Sequence, residues 1–120
     1  MIQKQTIVKI IDNSGAKLGK CIKIIGDKDT ATIGDIIIVT ILQLRSTTSK
    51  IKKGNVYNAI VINTKRTYTK RKGIVQSYSE NTIALMNKQK NPIATRIIGP
   101  VPLKIKKTHF QFASISAGFI

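Results

Sequence analysis

Few side chains in this sequence have the chemistry that catalysis requires. General acid–base and nucleophilic catalysis need a base beside a nucleophile, or a pair of carboxylates. The chain has one histidine, His109, next to Phe110, and one cysteine, Cys21, inside a run typical of a strand. We expect His109 to be a packed or surface residue and Cys21 to be a small buried apolar one. The sequence therefore predicts a protein that is not an enzyme.

Two further short patterns resemble ligand sites, and both are weak. Asp27 and Asp29 form a D-x-D pair, which we interpret as a solvated turn, and one histidine with one cysteine cannot complete a zinc site. The segment Gly15–Lys20 has the glycines and lysines of a phosphate-binding loop. It lacks the required spacing and the Ser or Thr after the lysine. We therefore expect no metal and no cofactor.

The chemistry that the sequence does offer is electrostatic. Its 120 residues include 21 Lys or Arg against five Asp or Glu, which gives a net charge of +16, and residues 36–120 contain a single acid, Glu80. Such a chain repels itself, and binding to nucleic acid relieves the repulsion and releases counterions. A membrane surface is the alternative polyanion. We find neither an amphipathic helix with aromatic anchors nor an apolar run of spanning length, and we expect no membrane partner.

The elements that must position these cations have the pattern of strands. Ile, Val and Thr make up 41 of the 120 residues, and these β-branched residues favour strands. Short apolar runs separated by turn residues predict an all-β barrel or sandwich. The runs are Thr6–Ile11, Leu18–Ile25, Asp35–Leu44, Val56–Thr64 and Thr82–Met86. Their consecutive isoleucines favour strands that are covered on both faces.

Two segments differ from this pattern. Lys65–Gly73 places five cations in nine residues between strand-like runs, which we interpret as a basic β-hairpin or ribbon. After Pro92, Gly99–Pro102 excludes a regular element, and the tail that follows has weak helical spacing. The length suits one domain. We expect residues 1–120 to form it, with barrel and ribbon to about residue 101 and a tail with a short helix over about 102–120.

The aromatic content indicates how nucleic acid would be bound. With no Trp, three Tyr and three Phe, the chain has little material for stacking successive bases. Cations and glycine-containing loops suit recognition of phosphate and shape in structured RNA. A free-standing OB-like single-stranded RNA-binding protein, stacking bases on Tyr57, Tyr68 or Tyr78, stays open as the alternative. The candidate RNA-binding residues are Lys52, Lys53, Lys65, Arg66, Lys70, Arg71, Lys72, Arg96, Lys104, Lys106 and Lys107.

A series of short motifs runs in order along the chain. After the opening Met1–Thr6 they are Asp12–Lys17, Cys21–Lys23, Ile33–Ile37, Lys52–Gly54, Ala59–Lys65 and Thr95–Val101. Each motif alone is unspecific. In this order and at this spacing, the sequence from Met1 to about Val101 resembles the L-fourteen family of large-subunit ribosomal proteins. Lys17 and Lys23 belong to these motifs and join the candidate rRNA-binding residues.

The resemblance implies a fold and a role. The fold is an all-β, five-stranded OB-like β-barrel with a basic β-ribbon and short C-terminal helical segments. The role is that of a structural constituent of the large ribosomal subunit, which binds large-subunit rRNA and faces small-subunit rRNA in an intersubunit bridge. Proteins of the L-three and L-nineteen type would be neighbours, and a ribosome-silencing factor would dock near Thr95 and Arg96. Asn63 departs from the family, which usually has arginine there.

Amino-acid usage bears on location. The chain has 23 Ile, 17 Lys and seven Asn but only four Arg, a preference for A/T-rich codons that is typical of organelle genomes. Met1–Thr6 has neither an apolar signal core nor a transit-peptide composition, and the single cysteine excludes an internal disulfide. We therefore expect an organelle-encoded protein of the mitochondrial ribosome, with plastid and bacterial cytoplasm as alternatives.

Overall fold

The structure is a computed structural model in which most described residues lie in or between strands. It describes residues 2–26, 29–45, 51–64, 67–69, 75–77, 81–94, 96–97, 101–102, 105 and 109–115. Within these residues the elements are β1 (Ile7–Ile10), β2 (Ala16–Ile24), β3 (Ile36–Leu44), β4 (Val56–Asn63), β5 (Thr67–Thr69), β6 (Val75–Ser77), β7 (Thr82–Met86) and the helix α1 (Phe110–Ser114). None of the described helical residues belongs to a helix with the apolar length that crossing a bilayer requires.

Five of the strands close into a barrel in the order β1-β2-β3-β4-β7. Neighbouring strands pair antiparallel, except that β1 and β7 pair in parallel. Closure leaves no unpaired strand edge in the barrel. All five apolar runs of the sequence are confirmed as these strands, with boundaries within two residues. The expected five-stranded OB-like barrel is confirmed.

Alternate side chains of β4 and β7 enter two separate apolar cores, because successive residues of a strand point to opposite faces. Ala59 and Val61 lie in the core inside the barrel. Ile60 and Ile62 lie in a second core outside it. The C-terminal part of the chain covers this outer core with four buried side chains, Ile97, Val101, Ile105 and Phe112. β4 and β7 are therefore covered on both faces, although neither strand contains consecutive isoleucines.

The expectation that strands with consecutive isoleucines are covered on both faces is wrong for β3, which contains three of them in a row. Its burial alternates, with Ile37, Val39 and Ile41 inside the barrel and Ile38 and Thr40 only half-buried. The covering C-terminal side chains pack on the outer faces of β4 and β7. A run of isoleucines in a strand cannot by itself show whether another segment covers the second face.

A two-stranded ribbon extends from the barrel. β5 and β6 pair antiparallel, with Thr67 opposite Ser77, and they lie between β4 and β7 in the chain. At the base of the ribbon a register shift separates Val61 from Asn63, and such bulges bend a strand. The expected ribbon is confirmed in these strands, while its cation-rich segment Lys70–Gly73 lies outside the described residues.

The histidine and the cysteine both have packing roles. Nε2 of His109 lies 3.0 Å from the carbonyl oxygen of Gly34, so this nitrogen carries the proton. The His109 ring meets the Phe112 ring edge-on, with centroids 6.4 Å apart. Cys21 is a free, buried thiol in β2, and burial raises its pKa. Both side chains are therefore packed within the fold, as expected. The helix α1 confirms the short helix expected in the tail.

Candidate nucleic-acid interface

Three connecting segments meet at one end of the barrel. Residues 11–15 join β1 to β2, residues 45–55 join β3 to β4, and residues 87–96 follow β7. These segments converge because β1, β3 and β7 run towards this end while β2 and β4 run away from it. We call it the cationic end, and define it by the described residues of these three segments.

The cationic end presents positive charge without exposed negative charge. Among its described residues the single acid is Asp12, which is 1% exposed. Its exposed cations are Arg45, Lys52, Lys53, Lys88, Lys90 and Arg96. Lys17, the second residue of β2, is exposed beside them. A phosphate that approaches this end would therefore meet ammonium and guanidinium groups. None of the described residues there has an exposed carboxylate that would repel it.

Asp12 ties the β1–β2 connection to strand β7 from within. Its Oδ2 accepts a hydrogen bond from the backbone N–H of Leu85 at 2.8 Å, and its Oδ1 accepts from the hydroxyl and the N–H of Ser14. Burial is the largest influence on the pKa of the Asp12 carboxyl and raises it above its ordinary value, while these hydrogen bonds and the charge of Arg45 oppose the rise. The group is a structural anchor at the base of the cationic end.

Arg45 is tied to the same base. Its Nη2 donates to the carbonyl oxygen of Ile10 at 3.2 Å, and its backbone N–H donates to the carbonyl of Gly15 at 2.7 Å. The guanidinium has five N–H donors, and this contact uses one nitrogen. Arg45 is exposed, so its guanidinium can donate a hydrogen bond to the Ile10 carbonyl and still present its other N–H donors to solvent.

Asn13 fixes the backbone of Arg96. The side-chain oxygen of Asn13 accepts from the N–H of Arg96 at 3.0 Å, and the N–H of Asn13 donates to the carbonyl of Arg96 at 3.0 Å. The next residue, Ile97, donates its N–H to the carbonyl of Ile115 at 3.0 Å. The backbone that carries the exposed Arg96 side chain is therefore held by hydrogen bonds to Asn13 and, at the next residue, to Ile115.

A tight turn after β7 carries two lysines. The side-chain oxygen of Asn87 accepts from the N–H groups of Gln89 and Asn91, each at 3.0 Å. Lys90 adopts a φ of 66°, which is uncommon for a residue with a side chain. Lys88 and Lys90 both point to solvent, and the turn limits where their backbone can place them.

The sequence-predicted residues divide into three groups. Lys52, Lys53 and Arg96 lie at the cationic end and Lys17 lies next to it, whereas Lys23 lies near the opposite end of β2. The remaining nine stay predictions because they lie outside the described residues: Lys65, Arg66, Lys70, Arg71, Lys72, Thr95, Lys104, Lys106 and Lys107.

Sequence reasoning missed Arg45, Lys88 and Lys90. Lys88 and Lys90 directly follow the predicted strand Thr82–Met86, which is the signal that could have found them. Using that signal requires knowing that β7 ends at the same end of the barrel as β1 and β3, and this depends on strand order.

The other sequence patterns are resolved by the fold. Most of Gly15–Lys20 belongs to β2, so it is a strand and not a phosphate-binding loop. Within the described part of the chain no three His, Cys, Asp or Glu side chains group as metal ligands would. Tyr57 is half-buried against the core inside the barrel, which removes it as an open platform for base stacking, and the side chains of Tyr68 and Tyr78 lie outside the described residues.

A closed five-stranded barrel with an attached ribbon and a cationic end defines a small, strongly basic protein of the OB-like class. The family model described as Ribosomal protein L14p/L23e matches residues 1–120, and the chain belongs to this family. It is therefore a structural constituent of the large ribosomal subunit and not an enzyme.

Proposed function

We propose that this protein, as one domain over residues 1–120, binds large-subunit rRNA through phosphate and shape contacts made by its cationic end. One observation carries the proposal: three segments far apart in sequence bring six exposed cations to one end of the barrel, and the acid among them is buried. Lysine and arginine contacts to phosphates position a protein on folded RNA without reading its bases.

The residues we propose as rRNA contacts fall into two sets. At or beside the cationic end they are Lys17, Arg45, Lys52, Lys53, Lys88, Lys90 and Arg96. The ribbon and tail would add Lys65, Arg66, Lys70, Arg71, Lys72, Lys104, Lys106 and Lys107.

The bridge and partner contacts form a finer part of the proposal. We place small-subunit rRNA, or a ribosome-silencing factor, at Thr95 and Arg96. The hydrogen bonds between Asn13 and Arg96 support this assignment, because a side chain on a fixed backbone loses less conformational entropy on binding. Proteins of the L-three and L-nineteen type are the proposed neighbours in the subunit.

We also propose that the ribosome in question is mitochondrial. The excess of Ile, Lys and Asn over Arg supports an A/T-rich organelle genome. Plastid and bacterial ribosomes are the alternatives, and locating the protein by cell fractionation separates the three.

Salt dependence of rRNA binding tests the main proposal. If about 6–10 phosphates are contacted, the affinity for large-subunit rRNA should fall about 10³–10⁵-fold between roughly 50 and 200 mM salt. The plot of log K against log salt has a negative slope. Replacing Lys52 and Lys53 by Ala should make this slope less steep, by about 0.7–0.9 for each phosphate that is no longer neutralised. Lys4→Ala is the control, since Lys4 is exposed and precedes β1 at the opposite end of the barrel.

Sedimentation of the native protein separates this role from the free-standing alternative. We expect it to travel with the large subunit through a sucrose gradient at physiological ionic strength. A flat salt response, or a native protein that stays at the top of the gradient, would contradict the proposal.

A further inference from the structure

A single peptide unit joins the cationic end to the outer core. Arg96 is exposed at the cationic end, whereas the next residue, Ile97, is 2% exposed and lies in the outer core with Phe112. Ile97 also forms an isolated antiparallel bridge with Asp12, and successive side chains of such extended backbone point to opposite sides. The proposed rRNA surface and the apolar core are therefore one residue apart at this point.

The two residues of this unit are hydrogen-bonded to different parts of the chain. The backbone N–H and carbonyl of Arg96 both pair with Asn13 of the β1–β2 connection, each at 3.0 Å. The N–H of Ile97 donates to the carbonyl of Ile115 at 3.0 Å, and Ile115 follows α1 and packs against the outer core. Removing the C-terminal contact would therefore leave the Arg96 backbone held mainly from the β1–β2 side.

The C-terminal part of the chain depends on packing for its order. We use the word tail for its described residues between 101 and 115. The helix α1 has five residues, with no acid in its first turn and no base in its last, and a helix this short is not stable alone in water. Ile105 and Phe112 are buried in the outer core, and Nε2 of His109 donates to the Gly34 carbonyl at 3.0 Å. The tail therefore has a docked and an open state, and these contacts favour the docked one.

We propose that the docked tail is a positioning element for Arg96, so that tail docking and rRNA binding at the cationic end strengthen each other. Burial of Phe112 and Ile97 in one core restricts the backbone from which the Arg96 side chain reaches a phosphate. A side chain on a restricted backbone loses less conformational entropy on binding. Such coupling is reciprocal, so rRNA bound to Arg96 stabilises the docked tail by the same factor. This inference rests on the proposed rRNA contact of Arg96.

Phe112 offers a clean test because it cannot touch RNA itself. Its side chain is 1% exposed, and Phe112→Leu loosens the outer core without removing a charge. Val39→Ala is the matched control, since Val39 is fully buried inside the barrel and lies outside the outer core. If lower stability alone weakened rRNA binding, both variants would bind more weakly.

Titrations with large-subunit rRNA compare Phe112→Leu, Arg96→Ala and the double variant with the wild type. Phe112→Leu should weaken binding about 5-fold or more, the lower end of the usual range of coupling, and Val39→Ala should leave it unchanged. In the Arg96→Ala background, Phe112→Leu should change the affinity less than about 2-fold, because the side chain that the tail positions is gone. If the two single effects multiply in the double variant, the inference is overturned.

His109→Ala provides a second, milder variant should Phe112→Leu fail to fold. It removes the hydrogen bond to the Gly34 carbonyl and leaves the outer core filled. We expect the same pattern, with weaker rRNA binding in the wild-type background and no further loss beside Arg96→Ala. An equal loss in both backgrounds overturns the inference.

Hydrogen exchange measures the reciprocal effect. The N–H groups of His109 and Phe112 donate within the tail, to the carbonyls of Ile105 and His109, and they exchange when the tail opens. Adding large-subunit rRNA should slow their exchange about 5-fold or more in the wild type, and Arg96→Ala should abolish this slowing. Equal slowing in Arg96→Ala would show that rRNA acts on the tail without Arg96, and it overturns the inference.

The wild-type titration distinguishes the two proposals. A wild-type protein that does not bind large-subunit rRNA contradicts the proposed function and this inference together. A wild-type protein that binds with the expected salt dependence, while Phe112→Leu and Arg96→Ala act independently, overturns this inference alone.

Discussion

The carboxylate of Asp12 accepts a hydrogen bond from the backbone N–H of Leu85 at 2.8 Å, across 73 positions of sequence. Asp12 directly follows the parallel pairing of β1 with β7, in which Ile11 donates its N–H to the carbonyl of Ile83 at 3.1 Å. The chain turns away at Asp12, and its side chain supplies the acceptor that a longer β1 would have offered. This contact completes the closure of the barrel beneath the cationic end.

Asp12→Asn should destabilise the protein by about 1–3 kcal/mol, because the amide can offer only one oxygen to donors on both sides and leaves a buried donor unsatisfied. Urea unfolding followed by circular dichroism measures the change. Gln111→Ala, at an exposed residue of α1, is the control and should change stability by less than about 0.5 kcal/mol. Equal stability of Asp12→Asn and the wild type would show that the Leu85 contact contributes nothing.

The pH dependence of stability should carry the signature of Asp12. Because burial raises its pKa in the folded state above the ordinary 3.8, folding favours the protonated form. The stabilisation that this provides is complete below pH 3.8 and is lost as the pH rises through the folded-state pKa. The Asn side chain of the Asp12→Asn variant does not titrate, so the unfolding free energy of the wild type minus that of the variant isolates this effect. This difference should become smaller as the pH rises. A growing difference contradicts it.

Thr82→Val should stabilise the protein by about 1 kcal/mol. Thr82 pairs with Asn63 across β4 and β7, and the Thr82 hydroxyl and the Asn63 side-chain oxygen are both buried without a hydrogen-bond partner among the described residues. Removing a buried unsatisfied hydroxyl removes its desolvation cost. Thr40→Val is the control, since Thr40 donates to the Gly54 carbonyl at 3.3 Å and should gain nothing. Destabilisation by Thr82→Val would mean that this hydroxyl is hydrogen-bonded in solution.

Phe112→Ala should cost about 3–5 kcal/mol, the usual range for emptying a buried aromatic position. Phe112 is 1% exposed and belongs to the core between the tail and the outer faces of β4 and β7. Thermal unfolding measures the destabilisation, and tryptic cleavage should shift to the tail. If stability is unchanged, the tail does not cover this wall in solution.

Asn13→Ala should weaken rRNA binding without changing its salt dependence. The substitution removes the acceptor of the Arg96 N–H but no charge, so the number of released counterions stays the same. Arg96→Ala should weaken binding and also make the negative slope of log K against log salt less steep, by about 0.7–0.9. Titrations with large-subunit rRNA at several salt concentrations compare the two variants. Identical slopes for them would remove Arg96 from the phosphate contacts.

The strands and the ribbon could be predicted because their signals are local. Runs of β-branched residues between turn residues carry strand propensity within a few positions, and Thr82–Met86 matches β7 at both boundaries. The early start of β2 at Ala16 escaped prediction, because register shifts beside Leu18 allow pairing to continue through an irregular stretch. Bulges depend on the partner strand, which a local pattern does not contain.

The cationic end could be predicted only in part. Lys52 and Lys53 are adjacent in sequence and stand out as a cluster. Arg45, Lys88 and Lys90 are ordinary surface residues until barrel closure brings the ends of β3 and β7 to the same side. Which strand has its outer face covered could not be predicted either, because β3 and β4 are both rich in branched aliphatic residues and the buried side chains of the tail pack on the outer face of β4.

The sequence alone determined the charge, the absence of a catalytic base–nucleophile pair, the strand content and the resemblance to a ribosomal protein family. These follow from residue types and from spacings of a few positions, over which side-chain chemistry and backbone preference act directly. Only the tertiary structure decided which cations share one end, which acid is buried beneath them and which apolar wall stays open. Those relationships join residues tens of positions apart, and the energy that selects them comes from barrel closure and burial rather than from any local preference.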